Sequence, residues 1–146
     1  MAARAEADLR AESTWRERTP PENSLMAALV VLEKADPREE AMVSKNAAAY
    51  ATPAYSNVGL LPGDTLSVRE LLMATLIPSG DDAAYALAEH VGGRGEAGVN
   101  RFVEEMKERA RASGLRHTHF ENPVGFDARD HYSSARDMAM MAHLAM

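Results

Sequence analysis

The stretch Leu76-Ile77-Pro78-Ser79-Gly80-Asp81-Asp82-Ala83-Ala84-Tyr85 constrains this chain more than any other. Proline cannot continue a helix, and it biases the residue before it away from helical angles. The apolar run through Leu71, Leu72 and Leu76 must therefore stop here, and the alanine-rich run that follows must be a second helix. Ser79, Asp81 and Asp82 are all residue types that cap the orphan amides of a helix start. The expected geometry is an exposed hydroxyl and a carboxylate held between two packed helices. Taken locally, the same pattern also describes a well-capped helix corner with no chemistry.

Helical spacing extends on both sides. Ser67 is placed to cap the helix that ends at the corner. Beyond it, Ala84, Leu87, Ala88 and Val91 follow the i, i+3, i+4, i+7 pattern of a buried face, and Gly92-Gly93 ends that helix. Val99, Phe102, Val103, Met106 and Ala110 then line one side of an amphipathic helix, with Glu105 and Arg109 as an i, i+4 pair on its wet side and Gly114 as its stop. Upstream, Ser24 reads as the N-cap of a run from Leu25 to Leu32 that is apolar all round and so expected to be buried. Asp36-Pro37 ends it.

Met42-Val43-Ser44 and Thr65-Leu66-Ser67-Val68 are β-prone and are expected to pair as a small ribbon. Ala47 to Leu61 reads as loop with one helical turn, and Glu39-Glu40 as a solvated acidic pair. His117 to His131 is a long loop broken by Asn122-Pro123 and Gly125. Ser133 or Ser134 opens a last, Met-rich helix running to Met146. Residues 1–23 are expected to form an arm with Trp15 as its only strong anchor, and residues 24–146 the domain.

Composition narrows the function classes. Aromatics are only 5% while Ala and Met are plentiful, which suits closely packed helices better than a sheet sandwich. A net charge of -6 and a pI near 5.3 argue against nucleic acid or an anionic membrane as partner. The absence of cysteine excludes disulfides and thiolate metal sites. No run reaches the length of a transmembrane segment. Met1 to Asp8 carries charges where an export signal needs an apolar stretch, so no signal peptide is expected in the chain as it stands.

Few side chains offer chemistry. His117, His119, Asp127, Asp130 and His131 share one loop region, and alternate histidines on an extended segment point the same way, as a metal site requires. No HExxH helix supports that reading, and histidines and aspartates of a loop more often serve turns and caps. Met138, Met140, Met141 and Met146 are explained by packing. His90 and His143 read as helix-surface residues. Gly92-Gly93-Arg94-Gly95 follows a helix and not a strand, so it is no phosphate loop. Ser79 is a nucleophile only if a base lies near it.

Several segments together resemble the serine D-alanyl-D-alanine carboxypeptidases, the low-molecular-mass penicillin-binding proteins. They are Ala28-Leu29-Val30-Val31-Leu32-Glu33, Val43-Ser44-Lys45-Asn46-Ala47, Gly59-Leu60-Leu61-Pro62-Gly63-Asp64 and Pro78-Ser79-Gly80-Asp81-Asp82-Ala83-Ala84. Gly114-Leu115-Arg116-His117-Thr118-His119-Phe120 and His131-Tyr132-Ser133-Ser134-Ala135-Arg136-Asp137-Met138-Ala139 continue them. The resemblance spans about residues 25–146 in the family's order, with a small excess near Tyr50 to Tyr55. It implies the helical portion of the β-lactamase/penicillin-binding-protein-like α/β fold: mainly α, with a small β ribbon and most of the central sheet missing. It implies no cofactor or metal, a peptidoglycan stem peptide or a β-lactam as partner, and a role outside the cytoplasmic membrane.

The family's chemistry uses S-x-x-K, S-x-N and K-T-G. By resemblance Ser79 and Asp81 fall on the catalytic positions of the middle element, with Gly80 between them at the substrate. The other two elements have no counterpart. An ungapped match anchored on Ala28-Leu29 sets Pro21 at the nucleophile and Ser24 at the lysine. A gapped match leaves the turn missing before Ala28. Asp81 stands where the family usually has asparagine, and an ionised carboxylate cannot donate a hydrogen bond. The expectation is a truncated or degenerate carboxypeptidase, inactive as it stands, with a helix face left uncovered and prone to self-association. A second reading is a non-catalytic module that binds a cell-wall peptide or partner protein. A third is a metal-dependent hydrolase using His117, His119 and His131.

Overall fold

The computed structural model describes residues 23–126 and 128–146. Within them, helix α1 (Asn23–Lys34) leads into strand β1 (Glu40–Met42) and a one-turn helix α2 (Lys45–Ala48). Strand β2 (Thr65–Ser67) runs straight into α3 (Val68–Leu76). Helices α4 (Asp81–Gly92), α5 (Gly95–Ala112) and α6 (Ala135–Leu144) complete the order. The domain is mainly helical with one two-stranded antiparallel ribbon, as the resemblance implied. The expected arm and Trp15, like Asp127, lie outside the described residues.

Helix α4 is the hub. It packs against α1, α2, α3, α5 and β1. Its Ala83, Ala84, Ala86, Leu87 and Ala88 are buried, and these small side chains let neighbouring helices approach on several sides at once. The approach is closest to α5. A Cβ on Gly98 would run into the Gly93 carbonyl, and one on Gly92 would run into the Gly98 carbonyl. Only glycine fits either position. Phe102, Val103 and Met106 then carry α5 into the core beside Met26, Val30 and Val31 of α1.

Several local expectations need correction. Ser24 does not cap α1: the helix already includes buried Asn23, whose amide lies 2.7 Å from His131 Nε2. A tertiary contact fixes that first turn. Helix α1 is not buried all round either, since Leu32 is 53% exposed. The first ribbon strand starts at Glu40 and ends at Met42 rather than running to Ser44, because Ser44 caps α2 instead, its Oγ accepting from the Ala47 amide at 3.0 Å. Glu40 thus belongs to β1, opposite Ser67, and Glu39 Oε2 sits 2.9 Å from His90 Nε2 on α4. Glu105 and Arg109 do not pair with one another. Each reaches across to α1, Glu105 to Lys34 at 3.1 Å and Arg109 to Glu33 at 2.7 Å.

Caps elsewhere follow the residue types. Ser67 and Glu70 form a reciprocal capping box at the start of α3, and Ser134 Oγ accepts from the Asp137 amide at the start of α6. Buried Asp137 also accepts from the His117 amide and Thr118 Oγ1, both at 2.8 Å, which fastens the long loop to α6. No helix among the described residues is long and apolar enough to cross a membrane.

Gly98→Ala is expected to destabilise the domain by about 3 kcal/mol or more, because backbone must move to admit the methyl group. Thermal melts of Gly98→Ala beside Ala97→Gly, a change at an exposed position of the same helix, check this. Equal melting temperatures would refute the close-packed crossing.

Candidate active site

The corner between α3 and α4 is built from the backbone outward. Helix α3 stops at Leu76, and Ile77 stays near helical angles (φ -86°, ψ -64°) in spite of the proline after it. The chain then turns on Ser79, which holds φ at 57°. Serine seldom adopts this left-handed conformation, which costs about 1 kcal/mol or more and persists only where surrounding contacts enforce it. Those contacts are present. Gly80 N–H donates to the Ala74 carbonyl at 2.9 Å, and a Cβ on Gly80 would lie 2.9 Å from that same oxygen.

A second strand of backbone braces the turn. Ser56 Oγ donates to the Pro78 carbonyl at 2.8 Å, and the Asp81 amide donates to the Ser56 carbonyl at 2.7 Å. Asp82, fully buried, accepts from the amides of Val58 at 3.2 Å, Leu60 at 3.0 Å and Ala83 at 2.9 Å. One carboxylate thus ties the 56–60 loop to the first turn of α4, where the helix dipole also favours negative charge. Leaving such buried amides unpaired costs about 1–3 kcal/mol each.

The capping expectation is therefore corrected. Gly80 occupies the N-cap of α4 without any side-chain cap, and Ser79 caps nothing. Ser79 is exposed, and its hydroxyl has no hydrogen-bond partner among the described residues. Asp81 is half-buried beside it. Burial, aided by the charge of neighbouring Asp82 and opposed by a backbone hydrogen bond from Ser56, pushes the Asp81 carboxyl up from 3.8 to about 6. At mildly acid pH it is protonated and regains an O–H to donate, which the ionised form lacks.

Sequence reading missed the aromatic cluster alongside. Tyr85 stands one turn after Asp81 on α4. Its ring stacks on Tyr50 with centroids 3.9 Å apart, and Tyr55 and Phe126 close around the pair. Burial, with a hydrogen bond to Tyr50, raises the Tyr85 phenol well above its ordinary value. The i, i+4 spacing of Asp81 and Tyr85 was the available signal. The surplus segment Tyr50–Tyr55 supplies the partners, and nothing local announces that.

The histidines do not converge. His131 is buried, with Nδ1 accepting from the Glu121 amide at 3.0 Å and Nε2 at 2.7 Å from Asn23. With Nδ1 an acceptor, Nε2 carries the proton, which is best met by Asn23 Oδ1 rather than its NH2 group. His119 Nδ1 is held at 2.7 Å from the Asp130 carbonyl. Among the described residues no three His, Asp or Glu side chains are grouped to hold a metal ion, so the donor set does not support the hydrolase reading.

A helical domain whose braced Ser-Gly-Asp corner separates two packed helices defines a class, and comparison with known proteins identifies it. The sequence profile of D-alanyl-D-alanine carboxypeptidase matches residues 23–146. The D-alanyl-D-alanine carboxypeptidase DacF of Bacillus subtilis is 38% identical over 120 residues, 81% of this chain and 30% of its own length. That of Streptomyces sp. strain K15 is 34% identical over 137 residues, 90% of this chain and 47% of its own. The crystal structure of the Streptomyces K15 DD-transpeptidase superposes with a TM-score of 0.84 at 34% identity, over 93% of this chain and 53% of that one. Penicillin binding protein 6B from Escherichia coli gives 0.82 at 30%, over 91% and 43%.

This chain belongs to the D-alanyl-D-alanine carboxypeptidase family. It spans about half or less of the length of these relatives.

The Asp81 shift fixes a pH dependence. Its folded-state pKa lies above the unfolded one, so its contribution to stability is greatest below about pH 4 and is lost as pH rises through about 6. Asp81→Asn is expected to flatten that decline and to be the more stable protein at pH 7. After discounting for partial solvent exposure the gain is on the order of 1 kcal/mol. Parallel pH–melting profiles of the two proteins would refute this.

Proposed function

We propose that this chain is a D-alanyl-D-alanine carboxypeptidase-type domain in which Ser79, Gly80 and Asp81 line a groove for the terminal D-alanines of a peptidoglycan stem peptide. As it stands, it does not form an acyl-enzyme. The observation that carries the reading is the corner itself: a hydroxyl held at a left-handed turn beside a half-buried carboxyl, at the positions of the family's middle motif. Acyl transfer by a serine needs a base within reach, and removing one member of such a unit typically costs several orders of magnitude in rate. The positions matching nucleophile and lysine hold Pro21 and Ser24. The family's removal of D-alanine would then need groups that these residues do not supply.

Intact-mass spectrometry after incubation with benzylpenicillin tests it. The expected spectrum shows no adduct. A one-equivalent gain lost in Ser79→Ala would overturn the reading and make Ser79 a nucleophile. A gain retained in Ser79→Ala would overturn it equally, with Ser24 the next serine to replace.

The aromatic cluster beside the corner favours the second reading, a binding module for a cell-wall peptide. A saturable thermal shift with a D-Ala-D-Ala peptide, without any adduct, distinguishes binding from turnover.

We also propose self-association through the exposed end of α3. Met73, Leu76 and Ile77 share one face at i, i+3, i+4, and Ile77 is 76% exposed. Sedimentation should show a dimer or larger species that Ile77→Glu returns to monomer. A wild-type monomer at high concentration would end this proposal.

A further inference from the structure

Three of the chain's four tyrosines meet beside the corner, while the fourth, Tyr132, lies against His119. Tyr50 and Tyr85 are nearly parallel, 12° apart, with ring centroids at 3.9 Å. That is closer than the roughly 4.5–7 Å usual for aromatic pairs. A hydrogen bond between the two phenols sets both hydroxyls at the same end of the stack. The ring carbons next to the hydroxyls therefore face one another.

The pair is open to small molecules. Tyr50, Tyr55 and Tyr85 all line a cavity of about 600 Å³, and Tyr55, edge-on to Tyr50 at 5.1 Å, is 39% exposed. The stack also joins two separate parts of the fold. Tyr50 belongs to the surplus segment after α2, and Tyr85 to the hub helix α4. The chain has no cysteine, so no disulfide can hold these parts together.

Phenols have a chemistry that suits this arrangement. Removing one electron and the hydroxyl proton leaves a phenoxyl radical, with its spin on the oxygen and on the ortho and para carbons. In tyrosine the para carbon carries the main chain, so two such radicals join through ortho carbons. Rings already in contact need no diffusion to meet, which strongly favours coupling within the pair.

We propose that Tyr50 and Tyr85 form an oxidative cross-linking site, at which a one-electron oxidant couples them through their ortho carbons into dityrosine. Each phenol gives up one electron and one proton, and the two radicals form a carbon–carbon bond. Each ortho hydrogen then moves as a proton to a phenol oxygen, which restores both aromatic rings. The net loss is two electrons, taken by the oxidant, and two protons, released to water. The bond fixes the surplus segment to α4 and restrains the unfolded chain as a disulfide does. The site uses neither Ser79 nor Asp81, so it stands whether or not the domain processes D-alanyl peptides.

Brief illumination of the dilute protein with tris(bipyridyl)ruthenium(II) and persulfate, which takes up the electrons as sulfate, tests it by mass spectrometry. Trypsin frees residues 46–69, with Tyr50 and Tyr55, and residues 70–94, with Tyr85, as separate peptides. The expected product, from protein of monomer mass, is the two peptides joined, lighter than their sum by the two hydrogens lost. Fragmentation should place the link on Tyr50. Tyr50→Phe and Tyr85→Phe, which keep the stacked rings, should each abolish it, and Tyr55→Phe should retain it. No joined peptide, a link on Tyr55, or a link found only in covalent dimers would overturn the proposal. So would its persistence in Tyr50→Phe or its loss in Tyr55→Phe.

Discussion

The buried carboxylate of Asp82 is the interaction on which the rest of this domain depends. A carboxylate taken out of water survives only where donors replace the lost solvent, and Asp82 has the amides of Val58, Leu60 and Ala83. Two of these donors come from a loop more than twenty residues upstream in the sequence. Their bonds set the loop's path along the corner, and that path lets Ser56 meet both the Pro78 carbonyl and the Asp81 amide. Without Asp82 the backbone around Ser79 would have much less to hold it in a left-handed turn.

The same charge acts on its neighbour. Asp81 is half-buried beside a carboxylate already held by three amides, so its own ionisation meets both poor solvation and like-charge repulsion, with burial the larger effect. A carboxyl that reads as a fixed negative charge is thereby pushed up to about 6. The corner holds a hydrogen-bond acceptor at high pH and a donor below about 6.

Much of this was legible in the sequence wherever the signal was local. Pro78, the Ser67 cap, the apolar face from Val99 to Ala110 and the Ser134 cap each express one short-range rule, and each stands where expected. What failed was long-range. Ser24 offered a good cap but lost to the contact of Asn23 with His131, more than a hundred residues away. Glu105 and Arg109 satisfied an i, i+4 rule on paper, yet α1 lies near enough to offer each a partner across the groove. The stacking of Tyr50 on Tyr85 depends on where α2 meets α4, and no periodicity encodes that.

These contrasts explain how a fold can persist independently of the chemistry it carries. Gly80 and Asp82 hold the corner and the Gly92–Gly98 crossing holds the far end of α4, all demanded by close backbone approach or by buried amides. The residues with chemical potential are Ser79 and Asp81, and each is held against its own preference, one in its backbone and the other in its charge. Folding selects strongly for the first set and mildly against the second, as is common where function strains a scaffold. Loss of nucleophile and base would thus leave the corner standing, because Asp82 needs neither of them. A recognisable Ser-Gly-Asp turn is therefore strong evidence of architecture and much weaker evidence of turnover.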